Sequence, residues 1–179
     1  VTDPSNMSWL TGYDGWSFYV HQCVVLTLSG EPIWWGRAMD AVGAQRTVFM
    51  QDTGSIRGYD DTFVQNPDKH PMQELAALLH EQGLERARIA VELDNYYYSA
   101  AAHMSLTGAL SSATFSDANG LVNWQRAIKS PQEITYMRRA ARIVEAMHAR
   151  ILELAEPGLR KNDLIAEIYA TGIRGADGH

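Results

Sequence analysis

Cysteine is almost missing. The chain of 179 residues carries one, Cys23, and so closes no internal disulfide. Cys23 lies in a hydrophobic run, which marks it as a small buried hydrophobe rather than a reactive thiol. Val1-Thr2-Asp3-Pro4 shows no secretory pattern, and with a single thiol the cytoplasm is the expected location. No hydrophobic run approaches the roughly 20 residues that cross a bilayer. Clustered basic charge is lacking too. The net charge is −6, and no run of Lys or Arg is dense enough to follow a phosphate backbone. Nucleic acid and membrane are therefore not expected as partners. The sequence has no G-x-S-x-G, no P-loop and no G-x-G-x-x-G. His21, His70, His80, His103 and His148 show neither H-x-x-x-H nor H-E-x-x-H spacing, so no metal site and no cofactor are expected within the chain. Asp60-Asp61 is a poor acid–base pair, because neighbours on a strand face opposite ways. There is no internal repeat.

What is there is ordinary for a globular protein: 46% hydrophobic and 20% charged residues. Phe18 to Leu28 is rich in Val and aromatics and reads as a strand. Ser29-Gly30-Glu31 makes a turn, and Ile33-Trp34-Trp35 returns as the second arm of a hairpin. Ala38 to Phe49 reads as a short helix weakened by Gly43, and Ser55 to Tyr59 as a strand. Met72, Leu75, Leu78 and Leu79 give Pro71 to Gln82 one buried helical face, with Pro71 in the first turn and Gly83 as the stop. Arg88 to Leu93 reads as a strand, Tyr97 to Leu110 as a helix and Thr114-Phe115 as a further extended piece. The alternation predicts an α/β domain, and the early hairpin makes its sheet mixed.

Leu121 to Trp124 begins like one more strand. The pattern then changes. Ser130 suits a helix N-cap, Pro131 its first position, and Glu133 the return bond of a capping box. Ile134, Met137, Ala141, Val144, Met147 and Ile151 follow along one side, with Arg138, Arg139 and Arg142 mostly off that stripe as a solvated face. Pro157-Gly158 ends this helix. Leu164, Ile165 and Ile168 mark a second, closed by Gly172. The expected domains are 1–126 and 127–179.

The stretch "LVNWQRAIKSPQEITYMRRAARIVEAMH" resembles the domain boundary of the creatinase and aminopeptidase P family, as does "PGLRKNDLIAEIY" after it. The resemblance implies a creatinase-type N-terminal domain followed by the first two helices of an incomplete pita-bread α+β domain. "TDPSNMSWLTGYDGWSFYVHQ", "WWGRAMDAVGAQRT" and "VELDNYYYSAAA" resemble in particular the bacterial ectoine hydrolases. It also implies that the metal ligands of metal-dependent members, and the acid–base residues, lie beyond His179. The chain then reads as an interior fragment with no catalytic residue of its own. Asp177 and His179 stand where the first catalytic strand should begin and receive no role.

In the family, subunits pair and the N-terminal domain reaches the partner's pocket. A homodimer is therefore implied. Trp16-Ser17-Phe18-Tyr19-Val20-His21 falls at that edge, so Trp16, Phe18 and His21 are the candidate substrate-binding residues. Phe18 takes the place of an aromatic that creatinase sets near substrate, and Val20 the place of an arginine. Aromatic faces suit a small zwitterionic substrate such as ectoine through cation–π attraction. The competing reading is that Trp16, Phe18 and Tyr19 are core, since large aromatics bury for packing. Three functions remain open: part of an amidine-opening hydrolase, part of a metal-dependent Xaa-Pro peptidase, or a non-catalytic dimerisation or binding module.

Overall fold

A computed structural model describes residues 1–176 and 178. Asp177 and His179, left without a role above, lie outside the described residues. The chain divides into two compact units, Val1–Arg126 and Ala127–His179, and each is described by itself.

The first unit opens with a helix, α1 (Pro4–Thr11), that hydrophobic spacing does not reveal. Its ends are well specified. Asp3 accepts the Asn6 N–H as N-cap, Pro4 fills the first turn, and Gly12 closes the helix at φ 80°. That angle belongs to the left-handed region that glycine enters without steric cost. The expected strand from Phe18 to Leu28 is confined to β1 (Cys23–Val25). Residues before it are held in a loop instead. The Ser17 hydroxyl donates to Gln22 Oε1 at 2.6 Å and shares a 2.5 Å hydrogen bond with the Tyr13 hydroxyl. Side-chain bonds of this kind compete with a strand ladder.

β1 pairs antiparallel with β2 (Ile33–Arg37), Cys23 opposite Trp35, and β2 pairs parallel with β3 (Ile56–Tyr59). The crossover between β2 and β3 is α2 (Ala38–Thr47). Gly58 lets this crossover start close to the sheet, for a Cβ there would stand 2.7 Å from Ala38 Cα. Alternation along β2 splits the interior in two. Trp34 joins Met7, Tyr13, Val24, Ala44 and Met50 on one side. Trp35 joins Cys23, Tyr59 and the residues of α3 (Met72–Glu81) on the other. The predicted face of α3 is the observed one: Met72, Leu75, Leu78 and Leu79 are all buried. Pro71 is the residue before the helix rather than within its first turn.

A second, two-stranded parallel sheet pairs β4 (Arg88–Val91) with β5 (Thr114–Asp117). Between them lies α4 (Ala100–Ala109), whose Ser99 side chain accepts the Ala102 N–H. The expected helix from Tyr97 thus starts at Ala100. The Leu121 segment is not a strand. It forms α5 (Leu121–Ala127). Val122 is buried, and Asn123 and Arg126, one helical turn apart, both bond Asn6.

The second unit is a pair of helices. α6 (Pro131–Leu154) begins with the full capping box at Ser130 and Glu133. α7 (Lys161–Arg174) runs through Gly172, which therefore does not close it. Gly172 serves a contact: a Cβ there would stand 3.1 Å from Met147 Sδ. Arg150 bridges the two helices to Glu167 at 2.9 Å and also pairs with Glu153 at 2.8 Å.

Candidate functional site

The Tyr13–Ser17–Gln22 bonds hold the loop before β1 in a shape that presents aromatic rings instead of burying them. Trp16 is 81% exposed and packs edge-on against half-buried Phe18 at 4.9 Å between ring centroids. Phe18 also meets Tyr19 at 6.3 Å and Tyr97 at 6.0 Å, and Tyr97 meets Tyr96 at 5.6 Å. All four contacts are T-shaped, the arrangement in which ring edge meets ring face. The core reading of Trp16 and Tyr19 is overturned, since both are exposed and neither joins a core cluster. Tyr96 and Tyr97 escaped the sequence reading. Their signal was the Tyr96-Tyr97-Tyr98 run at the carboxyl end of a strand, where open α/β sheets present their ligands.

A buried carboxylate anchors the Tyr96–Tyr97 end. Glu92, 3% exposed, follows β4. Its Oε2 accepts the N–H groups of Thr2 at 2.6 Å and Asp3 at 3.0 Å, and the Asn95 amide at 3.2 Å. Its Oε1 accepts the Asn6 amide at 2.7 Å. Burial pushes the Glu92 carboxyl up, but the Asp3 and Thr2 N–H groups and the Asn6 amide together outweigh it, leaving it below its ordinary range. Asn95 in turn accepts the Tyr97 N–H at 2.8 Å. One ionised group thus ties the start of the chain to the loop that carries the tyrosines.

His21 is not part of the aromatic ladder. It meets His70 at 4.7 Å between centroids, the rings tilted 42° to each other, in a cleft of about 370 Å³ whose lining also includes Tyr19, Arg37, Tyr59 and Lys69. Tyr19 is common to the ladder and the cleft. Burial, and then the neighbouring His70, push the His21 imidazole down to about 4. Burial lowers His70 as well, and its Nδ1 accepts the Met72 N–H at 3.2 Å, which requires that nitrogen to be unprotonated. Arg37 is held by Asp61 through two bonds, Nε to Oδ1 at 2.6 Å and Nη2 to Oδ2 at 2.9 Å. Asp60 accepts the Thr62 N–H at 2.8 Å. The two carboxylates lie at a short 3-10 turn rather than on a strand, and each has a structural partner. Lys69 rests its ammonium over the Phe63 ring, 5.3 Å from the centroid.

Cys23 is buried, and burial pushes its thiol up to about 11, which leaves it a packing residue. Among the described residues no group of three or more His, Cys, Asp or Glu is arranged to hold a metal ion. No described helix is long and apolar enough to cross a membrane.

With this geometry in view, comparison with known proteins places the chain. The Creatinase/Prolidase N-terminal domain model matches residues 1–128. The chain is 60% identical over 176 residues to a protein named ectoine hydrolase from Halomonas elongata, covering 98% of this chain and 44% of that protein. It is 41% identical to an uncharacterized hydrolase/peptidase of Sinorhizobium fredii, covering 100% of this chain and 46% of the relative. The chain therefore spans about half the length of the curated relatives it matches. Among solved structures, an X-Pro aminopeptidase from Thermotoga maritima superposes with a TM-score of 0.71 at 14% identity, over 97% of this chain and 44% of that one. The prolidase of Pyrococcus furiosus superposes with a TM-score of 0.68 at 13% identity, over 98% of this chain and 48% of that one. At such low identity these two likenesses establish the fold. The family model covers well over half of the chain, and the fold agrees: the chain belongs to the creatinase/prolidase N-terminal domain family.

Proposed function

We propose that this chain serves a hydrolase that opens the cyclic amidine of ectoine to an acetylated diaminobutyrate, and that Trp16, Phe18 and His21 belong to the face it offers to substrate. The observation that carries the reading is the 60% identity to the Halomonas elongata ectoine hydrolase across 98% of the chain. The Xaa-Pro peptidase alternative rests on fold likeness at 13–14% identity and is weaker.

The chemistry of the face suits the substrate. Ectoine is a compact ring with a delocalised cation and a carboxylate. The exposed Trp16 ring and the half-buried Phe18 ring beside it attract such a cation, and a planar amidinium can lie flat on an aromatic face. Water must add to the amidine carbon and the ring C–N bond must then break. The part of Trp16 and Phe18 is to bind and orient. We further propose that the protein is a homodimer in which this face closes the partner's pocket. Closure of that kind removes water from around the ring, which strengthens the cation–π attraction.

Two measurements on the full-length protein test this. Ectoine turnover, followed by appearance of the ring-opened product, should be seen, and a proline dipeptide should not be cleaved. Phe18→Ala should raise KM for ectoine about tenfold, the equivalent of about 1–2 kcal/mol, with little change in melting temperature. Lowered melting with unchanged KM would make Phe18 a packing residue and sink the assignment.

A further inference from the structure

We propose that the cleft beside β3 binds a small carboxylate, its oxygens taken by Tyr59 and Lys69 and flanked by the His21–His70 pair, with its apolar end on Phe63 and Val64. This site shares His21 with the substrate face proposed above, but it goes beyond that reading, since it concerns a ligand held by this chain alone.

The first argument is charge. The chain is acidic overall, with a net charge of −6. Yet the lining of this cleft holds Arg37, Lys69 and two histidines and no carboxylate. Arg37 is already neutralised by its two bonds to Asp61, so it stiffens the wall. Lys69 is held by a ring face, with the Asp60 charge close enough to be felt. An exposed ammonium against an aromatic keeps donors free for an incoming anion.

The second argument is an unsatisfied group. Tyr59 is 1% exposed, and its hydroxyl is buried with no hydrogen-bond partner among the described residues. Buried polar groups are almost always bonded, and an exception at the wall of a cleft points to a ligand. Burial, then the charge of Asp40, push the Tyr59 hydroxyl well above its ordinary value. It therefore stays protonated and can donate to an oxygen.

The third argument is the apolar share of the lining. Val20, Phe63 and Val64 line the cleft too. A bare phosphate has no use for them, whereas a carboxylate with a short hydrocarbon tail does. Binding is also linked to protons. The cleft that holds the two imidazoles is also lined by Tyr19, Tyr59, Arg37 with its partner Asp61, and Lys69, which feels Asp60, and the charge of Asp40 acts on Tyr59. An anion beside the pair favours the charged form of His21 against the burial and the neighbouring His70 that now oppose it. Affinity should therefore rise as the pH falls from neutral toward mildly acid.

The test is a titration of the 179-residue chain with acetate, butanoate and inorganic phosphate. It is followed by side-chain NMR of His21 and His70 and by calorimetry, at neutral and mildly acid pH. Both carboxylates should shift the histidine signals saturably, butanoate the more tightly, and both more tightly in acid. Tyr59→Phe and Lys69→Met should each weaken butanoate about tenfold without lowering the melting temperature. Unchanged affinity in either variant overturns the assignment, as does the absence of saturation. Phosphate binding more tightly than both carboxylates overturns the ligand class. Affinity that does not rise in acid removes the histidines from the site. The titration reads binding and not turnover, so its outcome is separate from that of the ectoine assay.

Discussion

Two buried polar regions of the first unit are built on opposite terms. Around Glu92 every carboxylate oxygen is engaged, and donors from Thr2, Asp3, Asn6 and Asn95 converge on it. Around the sheet β1–β2–β3, by contrast, Gln22 Nε2, Trp34 Nε1, Asp40 Oδ2 and Tyr59 Oη are buried with no partner among the described residues. A charge taken out of water is tolerable only where its bonds are complete, so the Glu92 region is structural. An incomplete region weakens the fold and is retained where something other than the fold uses it. Of the unsatisfied residues only Tyr59 lines the cleft, so its hydroxyl is the idle group available for binding.

The largest effect should come from breaking the complete region. Glu92→Ala strands the Thr2 and Asp3 N–H groups and the Asn6 and Asn95 amides without an acceptor. The expected loss is about 3–5 kcal/mol in unfolding free energy by denaturant titration. A loss no larger than that of an exposed carboxylate would refute the anchoring role. Most of the damage should fall on the N-terminal segment and the Asn95–Tyr98 loop, visible as faster amide exchange there.

A second, intermediate effect separates the two regions by pH. Glu92 lies below its ordinary range in the folded state. Its contribution is present above the unfolded value and is lost only as pH falls below the ordinary glutamate range through the lower folded value. His21 is lowered to about 4 and His70 is lowered as well. Between the unfolded histidine value of about 6.5 and these lowered values, the unfolded chain binds more protons than the folded one. Stability therefore falls as pH drops through that window. Acid unfolding should show an early limb from the histidine cleft and a later one from Glu92. His21→Gln should flatten the early limb and spare the later. A single limb unaffected by that substitution would contradict the burial of the pair.

Legibility in the sequence divides along the same line. The apolar face of α3 and the capping box at Ser130 were readable because each is a local pattern with fixed spacing: Met72, Leu75, Leu78 and Leu79, then Ser130 and Glu133. α1 was missed although Asp3, Pro4 and Gly12 mark its ends, because "PSNMSWLT" has no apolar period. Leu121–Trp124 looked like a strand because Leu, Val and Trp suit either state. Its helix follows from partners far away in sequence, Asn6 above all. The site was half legible. Aromatic residues before β1 could be picked out, but their exposure depends on the Tyr13–Ser17–Gln22 bonds, which no spacing announces. The meeting of His21 with His70, and the idle hydroxyl of Tyr59, are products of chain topology alone.

The smallest effects give the sharpest comparison, because they ask the same substitution of two tyrosines. Tyr13 and Tyr59 are both buried, 4% and 1% exposed, and both pack on a tryptophan of β2. Tyr13 meets Trp34 at 5.0 Å, and Tyr59 meets Trp35 at 4.8 Å. The Phe variant keeps either ring contact and removes only the hydroxyl. At Tyr13 that hydroxyl bonds Ser17, whose own proton goes to Gln22, so its loss opens the chain of bonds that shapes the loop. Tyr13→Phe should cost about 1 kcal/mol. At Tyr59 the hydroxyl has no partner to lose, and its removal relieves a buried polar group. Tyr59→Phe should be neutral or slightly stabilising. Paired thermal melts of the two variants decide the matter. Equal destabilisation would mean that Tyr59 has a partner in solution, and the cleft would lose its idle donor. A lowered melting temperature for Tyr13→Phe alone keeps the distinction between the satisfied and the unsatisfied region, and leaves the Tyr59 hydroxyl to a ligand.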